Sequence, residues 1–245
     1  MRLNRRTQLW PDTGTVHLYW RCHNREFYLA DQKFKNLYFE CIERGLNYRK
    51  QKDTVHIHAF CAMGNHFHME VSYEDGSANL SNYMRYTHGI FGARYNCATQ
   101  RSGKVAQGRP KTPLIQNDEH AIRVHFYIEA NPIRAGICKL KALKNYTFSS
   151  YGFYAHGIKT KFTHMLTIPH WYWKLGRSSK ERQSNYRKLF AKYLDEYSTD
   201  FSVLYKQRYI GSDLWIFENN NRVTKSTFKR VSDSVELSSN DSDTG

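Results

Sequence analysis

The chain has 245 residues, a formal net charge of +15 and a sequence pI near 9.6. That length is ample to bury a core, and aromatics at 15% are too many for a disordered chain. A mean hydropathy of −0.74, with no apolar run near ~20 residues, excludes a transmembrane helix, so the charge points to an anionic partner: nucleic acid first, a membrane surface second.

The charge is uneven. Residues 231–245 hold Asp233, Glu236, Asp241 and Asp243 and no Lys or Arg, so they read as a disordered acidic tail on a more basic body. The start is basic (Arg2, Arg5, Arg6), but no apolar segment follows before Trp10-Pro11, so no secretory leader is expected. Five cysteines (Cys22, Cys41, Cys61, Cys97, Cys138) are widely spaced with no CxxC pair. Neither a disulfide framework nor a cysteine zinc site is expected, and a cytoplasmic protein with reduced thiols is the simple expectation.

In chain order, Thr15–Arg21 alternates aromatic and β-branched residues and reads as a strand. Asp31 can cap a helix carrying Phe34, Leu37, Tyr38, Cys41 and Ile42 at helical spacing. Thr54–Ala62 and His66–Ser72 read as strands joined at Gly64-Asn65, a hairpin. Ala78–Cys97 reads as a helix, and Ser102–Gly108 as a loop or short hairpin. Asn117 or Asp118 can cap a helix through Ile122, Phe126 and Tyr127, expected to end near Asn131-Pro132 because a residue before proline avoids the α region. Strands interleaved with helices, and adjacent strands joined by tight turns, favour an α+β body with an antiparallel sheet covered by helices. Beyond His164 lie an aromatic segment at 169–173 and an amphipathic helix over Ser179–Tyr197, with Ser178 and Glu181 spaced as a capping box.

Two features carry chemistry. His66 and His68 flank Phe67 on one strand, so both imidazoles emerge on one face. With the hairpin in register, Phe60, Ala62, Phe67, Met69 and Val71 share the opposite, apolar face. Two such imidazoles can converge on a divalent metal, although exposed or core-satisfied histidines are the plainer reading in a chain with 12 of them. His56 and His58 have the same spacing, and the same register places them on the face away from His66 and His68. Tyr127 and Asn131 lie one helical turn apart; a tyrosine can be a nucleophile and an amide oxygen a hard metal ligand. Among 18 tyrosines, core packing is the plainer reading for any one of them.

Several segments together resemble a known family. Residues 61–71 (CAMGNHFHMEV) resemble the histidine motif of the HUH single-tyrosine transposases. Residues 127–137 (YIEANPIRAGI) resemble the tyrosine helix of the REP-associated tyrosine transposase branch, 103–109 (GKVAQGR) its Gly-to-Gly-Arg hairpin, and 145–151 (NYTFSSY) its closing segment. Order and spacing agree over roughly residues 14–152, while Gly64, Ala106 and Pro110 depart from the pattern. The resemblance implies a ferredoxin-like antiparallel sheet covered by helices, with a C-terminal helical extension. It implies a catalytic domain over 1–164, a basic helical extension over 165–230, and the tail over 231–245. It implies Tyr127 as nucleophile, and His66 and His68, with Asn131 as a third ligand, holding a divalent metal, Mg²⁺ or Mn²⁺. The implied activity is nicking and joining of single-stranded, hairpin-bearing DNA through a 5′-phosphotyrosine link; the alternative is a non-catalytic protein recognising repeat hairpins. Nucleoid association and a homodimer are further expectations of the resemblance, and no membrane partner is expected. The pairs Arg85-Tyr86 and Arg94-Tyr95, and the stretch 170–174, are candidates for binding backbone and stacking bases.

Overall fold

The computed structural model describes residues 10–48, 53–196 and 208–222. Strand β1 (Gly14–Arg21) leads to helix α1 (Gln32–Asn47), opened by the Asp31 carboxylate accepting from Lys33 N at 2.8 Å. The hairpin follows as β2 (Val55–Ala62) and β3 (His66–Tyr73), then α2 (Ser77–Thr99), β4 (Leu114–Ile115) and α3 (Asp118–Arg134). Three short helices, α4 (Leu140–Leu143), α5 (Tyr151–His156) and α6 (His170–Trp173), precede α7 (Ser179–Glu196) and β5 (Tyr209–Ile210). The capping pair opens α7: Glu181 N donates to Ser178 Oγ at 3.1 Å, and the Glu181 carboxylate accepts from Arg177 N at 2.8 Å. The acidic tail expected over 231–245 lies outside the described residues. Among the described residues, no helix is long and apolar enough to cross a membrane.

The fold is α+β. The sheet has the order β2-β3-β1-β4-β5, with antiparallel pairs throughout except β4 and β5, which run parallel. The expected all-antiparallel sheet is thus corrected at its far edge, and the segment expected to be helical lends it a strand.

Each face of the sheet is covered. One face presents Val16, Leu18, Trp20, Phe60, Phe67, Met69 and Val71 to α1 and α2, and their side chains form the apolar core. Gly45 of α1 lies against α2: a Cβ there would fall 2.1 Å from Thr87 Oγ1 and 2.8 Å from Tyr83 Cε2, so a larger residue would force these side chains to shift. The other face packs against α3, with α5, α6 and α7 behind it.

Two local readings are corrected. The hairpin keeps the register Phe60↔Met69 and Ala62↔Phe67, but the ladder shifts between Ile57 and Ala59, and His56 pairs with Ser72. The extra residue of this bulge reverses the alternation beyond it. His58 therefore reaches the face of His66 and His68: its Nδ1 donates to Thr167 O and its Nε2 accepts from Ser72 Oγ, both at 2.8 Å. The second correction concerns α3, which runs through Pro132 instead of stopping before it. Pro132 has no N–H for the Ile128 carbonyl. Asn131 Nδ2 donates to that carbonyl at 3.2 Å and to Tyr127 O at 2.9 Å, so a side chain supplies the missing donor and the helix continues.

Candidate functional site

The second face is where the chemistry-bearing residues gather. His66 and His68 leave β3 on this side, with ring centroids 5.1 Å apart. The α3 helix lies across them and brings Tyr127 to 5.8 Å from His68, ring to ring. Asn131, one turn on, lies close enough to both His66 and Tyr127 to favour their charged forms. Its Nδ2 is committed to the helix backbone, so the amide oxygen is the atom it turns to the site. Tyr127, His66, His68 and Asn131 are therefore brought together by the packing of α3 on β3, across about 60 residues of chain.

A fifth residue joins them. His17 of β1 meets His68, Nε2 to Nδ1, at 2.9 Å, and its ring lies 5.7 Å from Tyr127. A lone histidine on a strand carries no local signal. The alternation of Thr15–Arg21 places His17 and Tyr19 on one side, but only the pairing Tyr19↔His68 reveals which neighbours they meet.

The site is dry. His17 is 1% exposed, His68 4%, and Tyr127 and Asn131 6% each. Burial disfavours the charged form of each titratable group. It pulls His17 down to about 3 and His66 to about 4, the latter helped by Arg21, and it holds His68 well below the usual histidine range. The three imidazoles are thus neutral at pH 7; the His17–His68 hydrogen bond engages one ring lone pair, and His68 keeps its Nε2 lone pair when its Nδ1 donates to His17 Nε2. Burial also pushes the Tyr127 phenol well above its ordinary value, opposed by Arg134, whose guanidinium sits 4.8 Å from the ring centroid.

The donor set suits a divalent cation. Asn65 Nδ2 donates to Arg25 O, which fixes the amide orientation and leaves Asn65 Oδ1 as the acceptor for His66 Nδ1 at 2.7 Å. His66 Nε2 then carries the lone pair, oriented by its neighbour as metal-bound imidazoles are. Among the described residues, no three His, Cys, Asp or Glu side chains gather to hold a metal. Two imidazoles and one amide oxygen therefore make a partial set, which leaves coordination positions for phosphate oxygens and water.

Basic and aromatic groups surround this face. Arg21 pairs with His66 across the strands and Lys111 lies 6.0 Å from the Tyr19 ring, while Arg101 stacks on Tyr28 at 4.4 Å beside Tyr95 of α2, on the apolar side. The sequence candidates for base stacking are mostly used elsewhere. Arg94 pairs with Glu40 at 3.2 Å and Tyr95 is buried; Tyr86 stacks on Tyr48 at 3.9 Å; Trp171 and Tyr172 are core. Trp173 is half-exposed, with Arg182 4.6 Å over its ring.

No protein-family model matches the chain, and no curated protein matches it. Among solved structures, one of a REP-associated tyrosine transposase bound to a REP hairpin is similar at 18% identity and a TM-score of 0.45, over 60% of this chain and 82% of that chain.

Proposed function

We propose that the protein is a metal-dependent endonuclease and strand transferase for single-stranded, hairpin-forming DNA. The observation that carries this reading is the convergence of Tyr127 with His66, His68 and Asn131 in one site, buried but for the partly exposed His66. Tyr127 Oη is the nucleophile. It loses its proton, forms a new bond to phosphorus in line, and the bond from phosphorus to the 3′ oxygen breaks. The 3′ oxygen leaves as an alcohol after taking up a proton, and the 5′ end stays on Tyr127. One phosphodiester replaces another, so rejoining needs no external energy source. His66 and His68, with the Asn131 amide oxygen, would hold Mg²⁺ or Mn²⁺, which supplies charge to polarise the phosphate and stabilise its transition state. Arg134 opposes the cost of a buried phenolate, and the basic surroundings hold the strand, so affinity falls steeply with salt.

One observation favours a second reading, a non-catalytic hairpin-binding protein: Tyr127 is 6% exposed, with its phenol held in the neutral form by burial. Incubating the full chain with hairpin-bearing single strands and Mg²⁺ or Mn²⁺ separates the two. The catalytic reading predicts a covalent protein–DNA adduct, lost in Tyr127→Phe with DNA binding kept. Binding without any adduct in the wild type supports the second reading.

A further inference from the structure

Behind the histidine site runs a buried chain of polar groups that the proposed chemistry does not use. Glu70 of β3, on the same face as His68 and two residues further on, is 1% exposed. Its carboxylate meets His125 Nδ1 of α3 at 2.6 Å. The other nitrogen of His125 lies 3.5 Å from Glu129 Oε1, one turn along α3. Glu129 then accepts from Ser150 Oγ at 2.6 Å and, through its second oxygen, from the Tyr186 hydroxyl of α7. His125, Glu129, Ser150 and Tyr186 are fully buried.

Two carboxylates here share one imidazole, so each remaining hydroxyl donor counts, because a buried carboxylate short of donors is costly. His125 and Glu129 lie on one flank of α3, while Tyr127 and Asn131 lie on the other. A polar chain that fixes the first flank therefore fixes the rotation of the helix about its axis, and with it the direction of the tyrosine. The chain ends on α7, outside the segment that carries the histidines and the tyrosine.

We infer that the C-terminal extension positions the tyrosine helix: α7, through Tyr186 on Glu129 and on through His125 to Glu70, holds α3 in one rotation against β3. Glu70, His125, Glu129 and Tyr186 are positioning residues that touch no substrate. The inference rests on the proposed function for its effect on rate, but its structural half stands without DNA.

The test uses the full chain with 3-fluorotyrosine at position 127, read by fluorine NMR, in the wild type and in Tyr186→Phe, which keeps the ring and removes only the hydroxyl. Wild type is expected to give one resonance, and Tyr186→Phe a displaced or second one. The rate of adduct formation at saturating DNA is expected to fall at least about fivefold, with half-saturating DNA within about twofold. Adding His125→Gln to Tyr186→Phe is expected to cost less than the two single losses combined, since one chain is broken twice. Should Tyr186→Phe not fold, Glu129→Gln keeps the size of the side chain but turns one of its two acceptor oxygens into an NH2 donor, and is expected to displace the same resonance. An unmoved single resonance in a folded variant, or a loss confined to DNA affinity, overturns the inference. If the wild type forms no adduct, the proposed function fails, and the fluorine resonance alone decides the positioning role.

Discussion

The two faces of the sheet use the same strands for opposite purposes. Toward α1 and α2, β1 and β3 present aliphatic and aromatic side chains that interdigitate with Tyr38, Phe39 and Phe91, and stability there comes from apolar area removed from water. Toward α3, the same strands present His17, His68 and Glu70, buried to a similar depth but held by hydrogen bonds and paired charge, with His66 partly exposed beside them. Alternation at period two separates these roles by one residue, so a fold can keep a polar, reactive layer without thinning its apolar core. Buried polar groups of this density add little stability and constrain geometry instead. That is what a site needing fixed side chains requires.

The sharpest test of this contrast compares neighbours. Phe67→Ala, on the apolar face, is expected to cost about 3–5 kcal/mol in urea unfolding, as large-to-small core changes do. His68→Gln, one residue along and pointing the other way, is expected to cost under about 1.5 kcal/mol yet to remove metal-dependent cleavage. Equal losses of stability at the two positions would erase the distinction.

Titration of the polar face gives a smaller effect. Burial alone lowers the pKa of His125, but Glu70 and Glu129 more than offset it and lift it to about 9. A raised folded value means that the contribution is fully present below pH 6.5 and lost as pH climbs through 9. The stability difference between wild type and His125→Gln should therefore shrink over that range, on the order of 2 kcal/mol in denaturant melts at pH 6 and pH 10. A difference that stays constant with pH would show that the imidazole carries no charge in the fold.

The smallest expected effect lies at a helix cap on the apolar side. Asp31→Ala removes the acceptor for Lys33 N and should cost about 1 kcal/mol in the same melts, with cleavage unchanged. Loss of cleavage from this change would mean that the two faces are not independent.

Much of this architecture is legible in the sequence. The alternation of Thr15–Arg21, the Gly64-Asn65 turn and the Ser178/Glu181 spacing report elements whose signals are local. The placement of His66 with His68, and of Tyr127 with Asn131, follows from strand and helix periods alone. What is not legible depends on groups distant in the chain. The bulge between Ile57 and Ala59 has no Gly or Pro to mark it, yet it moves His56 and His58 to the other face. β4 and β5 are two residues each, too short for any period to show. The run of α3 through Pro132 rests on a side-chain donor from Asn131, which propensity does not count. His17 enters the site through its pairing with β3, and the Glu70–His125–Glu129–Tyr186 chain draws on three separate elements.

The central claim is that Tyr127 attacks a DNA phosphate within this histidine site. Mass spectrometry of the full chain, after incubation with a hairpin-bearing single strand and Mn²⁺ or Mg²⁺, tests it most directly. The account predicts a DNA fragment linked through its 5′ phosphate to the peptide holding Tyr127, absent in Tyr127→Phe and in His68→Gln. A linkage to another residue, or an adduct that persists in Tyr127→Phe, would contradict it.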